Sequence, residues 1–312
     1  MLRATKMAKQ IVDDKSPICI PFILDKLKEH LASNSNAPFF IGLNGVQGIG
    51  KTTLVTMLEQ TLKQPPYSLP MVVWSIDDLY LTHADQVALA QSDPLNPLIQ
   101  HRGVPGTHDM TLAKKVFDAL KSGSKTKIPR YDKSQFNGQG DRMDESTWTT
   151  VNDEGQQKIK VVLFEGWCVG FRALTDDQVK LRQEAATAEY ESGSVTNSRS
   201  TLRKHRLQDL QFINSKLRGY DVMTDTFDAF VHIDAEKTEY VYNWRLQQES
   251  ELREKSGRGM TDEEVVTFVD GYYPAYELYT DGLRNGVIKN KKNAQLRITV
   301  KEDRKVIHSI IL

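Results

Sequence analysis

Apolar residues in this chain fall into two patterns. Short unbroken runs at 39–43, 71–76, 161–164, 227–233 and 296–300 have the length and the β-branched and aromatic content of strands buried on both faces. The last of them reads as the final strand. Elsewhere apolar positions return every three or four residues. Phe22, Ile23, Leu27 and Leu31 predict a helix over 20–31. Leu54, Val55, Met57 and Leu58 predict another over 51–63, stopped by Pro65 and Pro66. Further helices are expected over 112–120, capped by Thr107 or Asp109, and over 202–217 and 235–252, and Thr261 to Glu264 form a capping box that opens a helix toward Phe268. Segments 148–151 and 157–160 flank Asn152 to Gly155 as a hairpin.

Strands alternating with helices predict an α/β fold, a doubly wound and mostly parallel sheet flanked by helices. A length of 312 residues suits one such domain over 1–312, with a helical N-terminal extension at 1–37, a polar insertion at 171–220 and a helical lid at 235–260. Within the insertion, the Ser-rich stretch 192–200 is expected to be mobile.

Charge changes the picture by exclusion. Lys and Arg number 41 against 41 Asp and Glu, so no global basic field gathers nucleic acid. Cys19 and Cys168 are too few and too far apart for a disulfide framework or a zinc site, and a reducing compartment is expected. No apolar run nears the roughly 18 residues of a membrane span. The basic start before Asp13 reads as a frayed terminus rather than a mitochondrial presequence. A cytoplasmic protein with access to the nucleus is expected, a monomer by default, with no membrane or nucleic-acid partner.

The chemistry gathers where the predicted strands end. After the first, Gly45-Val46-Gln47-Gly48-Ile49-Gly50-Lys51-Thr52 fits the phosphate-loop pattern GxxxxGK(S/T), and Thr53 continues it into the helix. Glycines let successive N–H groups turn inward around a phosphate at the positive end of that helix. Lys51 is then expected on the β- and γ-phosphates and Thr52 on a magnesium ion. The second strand delivers Asp77 and Asp78, one to cap the following turn and Asp77 to orient or deprotonate a hydroxyl. The run 161–164 ends in Glu165, the shape of an acid that holds the magnesium shell. Cys168 beside it reads as a small buried hydrophobe.

Two polar loops, 101–109 with Arg102 and His108, and 128–142 with Arg130, Tyr131, Lys133 and Arg142, carry cations suited to an anionic ligand. The Asp77 turn adds Asp78 and Tyr80. Arg245, Arg253 and Arg258 mark a lid whose guanidinium groups meet a transferred phosphate.

The stretches SIDDLYLTH, RGVPGTHDM, IPRYDKSQFNGQGDR, LFEGW, YNWRLQQE and GMTDEEVVTFVDGYYPAY resemble the motif series of the glycerate 3-kinase-like P-loop kinases, and within them the fungal ATP-dependent kinase branch. This family sits in the wider group of uridine kinase, phosphoribulokinase and bacterial pantothenate kinase. The resemblance runs from about Pro38 to Tyr279. It implies a P-loop NTPase fold, ATP and Mg2+ as cofactors, and a small anionic acceptor, D-glycerate first. Residues Gly45 to Thr53 would then hold the nucleotide and Asp77 the acceptor hydroxyl. Glu165 would stand near the metal, and the two loops would contact the acceptor. The adenine is placed near 284–293. Leu79 and Val104 depart from the family pattern, and both departures bear on the acceptor. A nucleoside- or pantothenate-type kinase is the alternative enzyme. A nucleotide-dependent switch or ATPase that binds a protein is the alternative class, and a catalytically inert interaction module is a third.

Overall fold

The computed structural model describes residues 13–33, 35–192, 200–257, 259–289 and 291–312. The basic start, Arg258 and most of the Ser-rich stretch therefore lie outside the described residues. In chain order the first half holds α1 (Ser16–Ala32), β1 (Phe39–Gly45), α2 (Lys51–Lys63), β2 (Met71–Ser75), α3 (His83–Ser92), α4 (Met110–Lys121), β3 (Thr126–Ile128), β4 (Tyr131–Asp132), β5 (Asp141–Arg142), β6 (Thr149–Val151) and β7 (Val161–Gly166). The second holds α5 (Asp176–Glu191), α6 (Leu207–Leu217), α7 (Asp221–Thr224), β8 (Ala229–Ala235), α8 (Tyr240–Ser256), α9 (Asp262–Asp270), α10 (Tyr273–Arg284), β9 (Gln295–Val300) and β10 (Val306–Ile311).

The main sheet is six-stranded in the order β10-β9-β8-β1-β7-β2. All its neighbours pair in parallel except β10, which runs antiparallel to β9. Every residue of β1 and of β8 is buried, as central strands covered on both faces require. Leu54, Leu58 and Leu62, four residues apart, lay α2 onto the sheet. On one face Trp74, Phe117 and Phe164 meet ring to ring, with Trp74 and Phe164 centroids 4.7 Å apart. Packing of this kind holds the carboxyl ends of β1, β2 and β7 in fixed relation, and ligands of open parallel sheets bind there.

Several expectations are corrected. The first helix starts a turn early, at Ser16, because Pro17 suits a first-turn position. The predicted hairpin across Asn152 to Gly155 does not form. Instead β6 pairs with β3, and the Asn152 side chain accepts from the Ile159 N–H at 2.7 Å, fixing the polar segment without a strand. The helix expected from 202 starts at Leu207 after a short 3-10 turn, and the one expected from 235 starts at Tyr240. The 171–220 segment holds a helix beyond the expected one. It contains α5, opened by a Thr175–Gln178 capping box, packed on α6. Finally β9 is not the last strand. The mostly exposed β10 follows it on the sheet edge.

Candidate functional site

The phosphate-type loop leaves the carboxyl end of β1, the strand flanked by β7 on one side and β8 on the other. Gly48 has φ 79° and Gly50 φ 105°. A Cβ at Gly48 would also sit 2.6 Å from the Cβ of Trp244 on α8, so glycine is required there twice over. The Gln47 N–H donates to the Tyr276 hydroxyl at 3.3 Å, and Ile49 is fully buried. Arg304, in the β9–β10 turn, donates through Nε to the Gly48 carbonyl at 2.7 Å and lies over the Trp244 ring. Lys51 curls back over the loop, its Nζ donating to the Gly45 carbonyl at 2.7 Å and to that of Val46 at 3.4 Å. Burial holds its pKa below the ordinary lysine value, against the pull of Glu165 and Asp77. Thr52 and Thr53 stand exposed in the first turn of α2.

The adjacent acids divide their labour. Ser75 caps the 3-10 turn after β2, and its own N–H is accepted by Asp78 Oδ2 at 3.2 Å. Asp78 Oδ1 takes the Tyr131 N–H at 3.3 Å. Asp78, expected to touch substrate, is thus spent on joining two loops, and burial raises its pKa. Asp77 is the one of the pair whose charge acts on Lys51 of the phosphate loop. Its Oδ2 accepts from Lys133 Nζ at 2.5 Å, while its buried Oδ1 has no hydrogen-bond partner. Burial pushes its pKa up, but Lys133, His108 and Tyr80 outweigh that and hold it below the carboxylate norm. Glu165 leaves the neighbouring strand in register with Ser75, and its charge and that of Asp77 both act on Lys51. Cys168 is buried and its thiol is pushed well up, by burial first and by Asp77 next.

The two cationic loops close over Asp77 from one side. Tyr80 and His108 form a bridge, their rings stacked at 4.5 Å and 22°. Burial lowers His108 to about 4, so it is neutral near pH 7. Arg102 lies 5.9 Å from the Tyr80 ring and 5.6 Å from that of Tyr131, and it donates to the Gly138 and Gln139 carbonyls. Residues 131–142 form the β4–β5 hairpin that aims Lys133 at Asp77. Arg130 is exposed and acts on Asp78. Arg142 is a clamp, bound to Asp109 at 3.1 Å and to the Tyr80 carbonyl at 2.9 Å. Asp109, not Thr107, caps α4.

The lid arginines are not in this cluster. Arg245 pairs with Glu249 at 2.5 Å and stacks 5.1 Å over Phe268, and Arg253 binds Asp262 and the Met260 carbonyl. Two clefts border the site. One of about 370 Å³ lies between the 97–104 loop and α9, with Arg102, Val104, Glu264, Phe268 and Tyr272 in its wall. The other, about 500 Å³, is lined by Thr238, Glu239, Tyr276, Thr280 and Arg284. Arg284, at the start of the segment expected to meet adenine, is tied to buried Asp234, which Arg297 also grips at 2.6 Å. Asn290 of that segment lies outside the described residues.

Sequence reasoning missed Trp244, Tyr276 and Arg304, which shape the phosphate loop, and Tyr220, which reaches His108 from the 171–220 segment. Within that segment the apolar spacing over 202–217 and the Thr175–Gln178 capping box are the local signals of order.

No family model matches the chain. It is 40% identical over 276 residues to "Uncharacterized kinase mug58" of Schizosaccharomyces pombe, covering 87% of this chain and 92% of that one. It is 37% identical over 276 residues to the chloroplastic D-glycerate 3-kinase of Arabidopsis thaliana, covering 86% of this chain but 54% of that longer protein. Among solved structures, D-glycerate 3-kinase from Cryptococcus neoformans var. grubii serotype A matches with TM-score 0.84 and 35% identity, over 96% of this chain and all of that one.

Proposed function

The chain belongs to the P-loop kinase family that includes D-glycerate 3-kinase, and we propose that this ATP-dependent small-molecule kinase phosphorylates a hydroxyl of D-glycerate, with Asp77 as the group that receives the hydroxyl proton. One observation carries the reading. A buried, low-pKa carboxylate oxygen without a partner stands at a strand end beside Lys51 and Glu165.

In this reading residues Gly45 to Thr53 cradle the ATP phosphates, and Lys51 leaves the Gly45 carbonyl for them. Among the described residues no three His, Cys, Asp or Glu side chains form a metal cage. Mg2+ binds one or two carboxylates together with substrate phosphates, and the exposed Thr52 and, near the end of β7, Glu165 are the residues that would hold it. When bound, the ion neutralises charge on the phosphates. The chain's own part is positioning: Asp77 aligns the hydroxyl for in-line attack, and Lys133 keeps Asp77 ionised. Arg102, His108, Arg130, Tyr131 and Lys133 supply the acceptor contacts, with Tyr80 beneath them. Arg245, gripped by Glu249, is the lid cation. The enzyme acts as a cytoplasmic monomer on a small molecule, without nucleic acid or a membrane. Among the described residues no helix is long and apolar enough to cross one.

The 370 Å³ cleft, with Val104, Phe268 and Tyr272 in its wall, favours a second reading in which the acceptor is bulkier, of the nucleoside or pantothenate type. ATP consumption with magnesium against D-glycerate, ribulose 5-phosphate, uridine and pantothenate separates the two. Asp77→Asn is expected to cut acceptor-dependent kcat by about 10²–10⁴ with ATP affinity unchanged. Turnover that survives the substitution removes Asp77 from the chemistry.

A further inference from the structure

We infer that Tyr220 is a positioning residue that fixes the tautomer of His108, leaving His108 Nε2–H free to donate to the acceptor hydroxyl that Asp77 deprotonates. The inference rests on reading His108 as an acceptor contact and extends it. It starts from a count of protons. Tyr220 is 2% exposed at the end of the 3-10 turn after α6. Its hydroxyl oxygen accepts from the Gly106 N–H at 3.1 Å, and a backbone N–H can only donate. The same oxygen lies 2.6 Å from His108 Nδ1.

Two arrangements are open to that short contact. If Nδ1 carried a proton, the oxygen would accept twice. The phenol's own hydrogen would then have no acceptor among the described residues, a costly state for a buried hydroxyl. If the phenol donates to Nδ1, the one hydrogen left without a protein acceptor is on the imidazole, where the Asp77 carboxylate acts on it, whereas no carboxylate acts on Tyr220. The neutral ring then carries its proton on Nε2. The raised pKa of Tyr220, a result of burial, keeps the phenol protonated.

Nε2 is itself buried and bonds nothing, as does Asp77 Oδ1. The two groups are close enough for each to act electrostatically on the other. A donor and an acceptor, both without partners, define a place for a hydroxyl, which accepts from Nε2–H and donates to Oδ1. Its oxygen then forms the bond to the γ-phosphorus as the bond to the ADP oxygen breaks, and its proton passes to Asp77. Stacking on Tyr80 holds the imidazole plane in that orientation.

Nitrogen-15 NMR of the full chain at neutral pH tests the tautomer directly, with His108 assigned by comparison with His108→Gln. The expected spectrum has an unprotonated Nδ1 and a protonated Nε2, and Tyr220→Phe moves the Nδ1 resonance by removing its hydrogen bond. A protonated Nδ1 overturns the inference. Kinetics supply the second readout. Glutamine carries an amide nitrogen where Nε2–H stands, and asparagine carries one nearer Nδ1. His108→Gln should therefore keep about tenfold more kcat/KM for the acceptor than His108→Asn, with the KM for ATP equal in both. Equal losses in the two variants overturn it. If wild-type protein shows no acceptor-dependent turnover, the kinase reading fails on its own terms, and the NMR result still decides the tautomer.

Discussion

Replacing Lys133 by methionine tests whether an exposed lysine sets the charge of the proposed base. The ammonium lies 2.5 Å from Asp77 Oδ2, and its side chain is 57% exposed against 25% for the aspartate. A charge-assisted hydrogen bond of this kind is worth about 1.5–3 kcal/mol, but water screens an exposed lysine and brings the figure down to about 1 kcal/mol. A loss of that size predicts a fall in acceptor kcat/KM of about fivefold on the neutral plateau. The pH dependence is more telling. Burial raises the Asp77 pKa and Lys133 is the largest influence lowering it, so without Lys133 the pKa moves up. Activity that needs ionised Asp77 is then lost earlier as the pH falls, and the acid limb of the kcat/KM profile shifts to higher pH. Stability follows the same sign. A carboxylate with a depressed folded-state pKa stabilises the protein above its unfolded-state pKa, and that contribution disappears as the pH falls through the folded value. Acid unfolding of Lys133→Met should therefore start at higher pH than in wild type. Steady-state kinetics across pH and circular dichroism during acid titration check both parts. An acid limb that stays in place refutes the argument, because Lys133 would then not set the charge of Asp77, and its acceptor contact alone would account for any fall in the plateau.

Arg304→Ala removes the donor to the Gly48 carbonyl and leaves Gln247 without its 2.9 Å partner. It should cost about 2 kcal/mol of stability and weaken ATP binding severalfold, readable by thermal melting with and without nucleotide. Asp234→Asn leaves Arg284 and Arg297 facing a neutral group in a buried site. The expected destabilisation is about 3 kcal/mol by urea titration, and a change below about 1 kcal/mol would mean that solvent already satisfies both arginines. Glu165→Gln should raise the magnesium concentration needed for half-maximal activity while leaving metal-free ATP binding intact by calorimetry.

What the sequence made legible was whatever is encoded locally. The loop from Gly45 to Thr53, the strand that carries it and the helix that follows are contiguous, so their spacing already contains their geometry. Asp77 and Glu165 were readable because a buried apolar run ends just before each of them. The Thr261–Glu264 capping box opens α9 as expected, since that motif is complete within four residues. Features that join distant parts of the chain were not readable. Arg304 stands 256 residues from the carbonyl it binds, and Tyr220 stands 112 from His108. Helix α5 buries little besides Val179 and Ala186, so its apolar periodicity is faint. Strand β10 is mostly exposed and therefore lacks the continuous apolar signature of its neighbours. Arg245 shows the same limit from the other side. Its place on a predicted helix was clear, but its capture by Glu249 one turn away was a matter of rotamers.

The grip of the β9–β10 turn on the phosphate loop also fixes an order of events in synthesis. The loop is translated 256 residues before Arg304, which brings with it Val306, whose N–H is accepted by Asp14 at 2.8 Å, and a carbonyl that takes Lys15 Nζ at 2.7 Å. A ribosome-bound chain that has made β1 and α2 thus carries the glycine motif without the brace on Gly48. The phosphate loop acquires that brace only when β9 and β10 reach the sheet edge, which ties its finished shape to residues translated long after it.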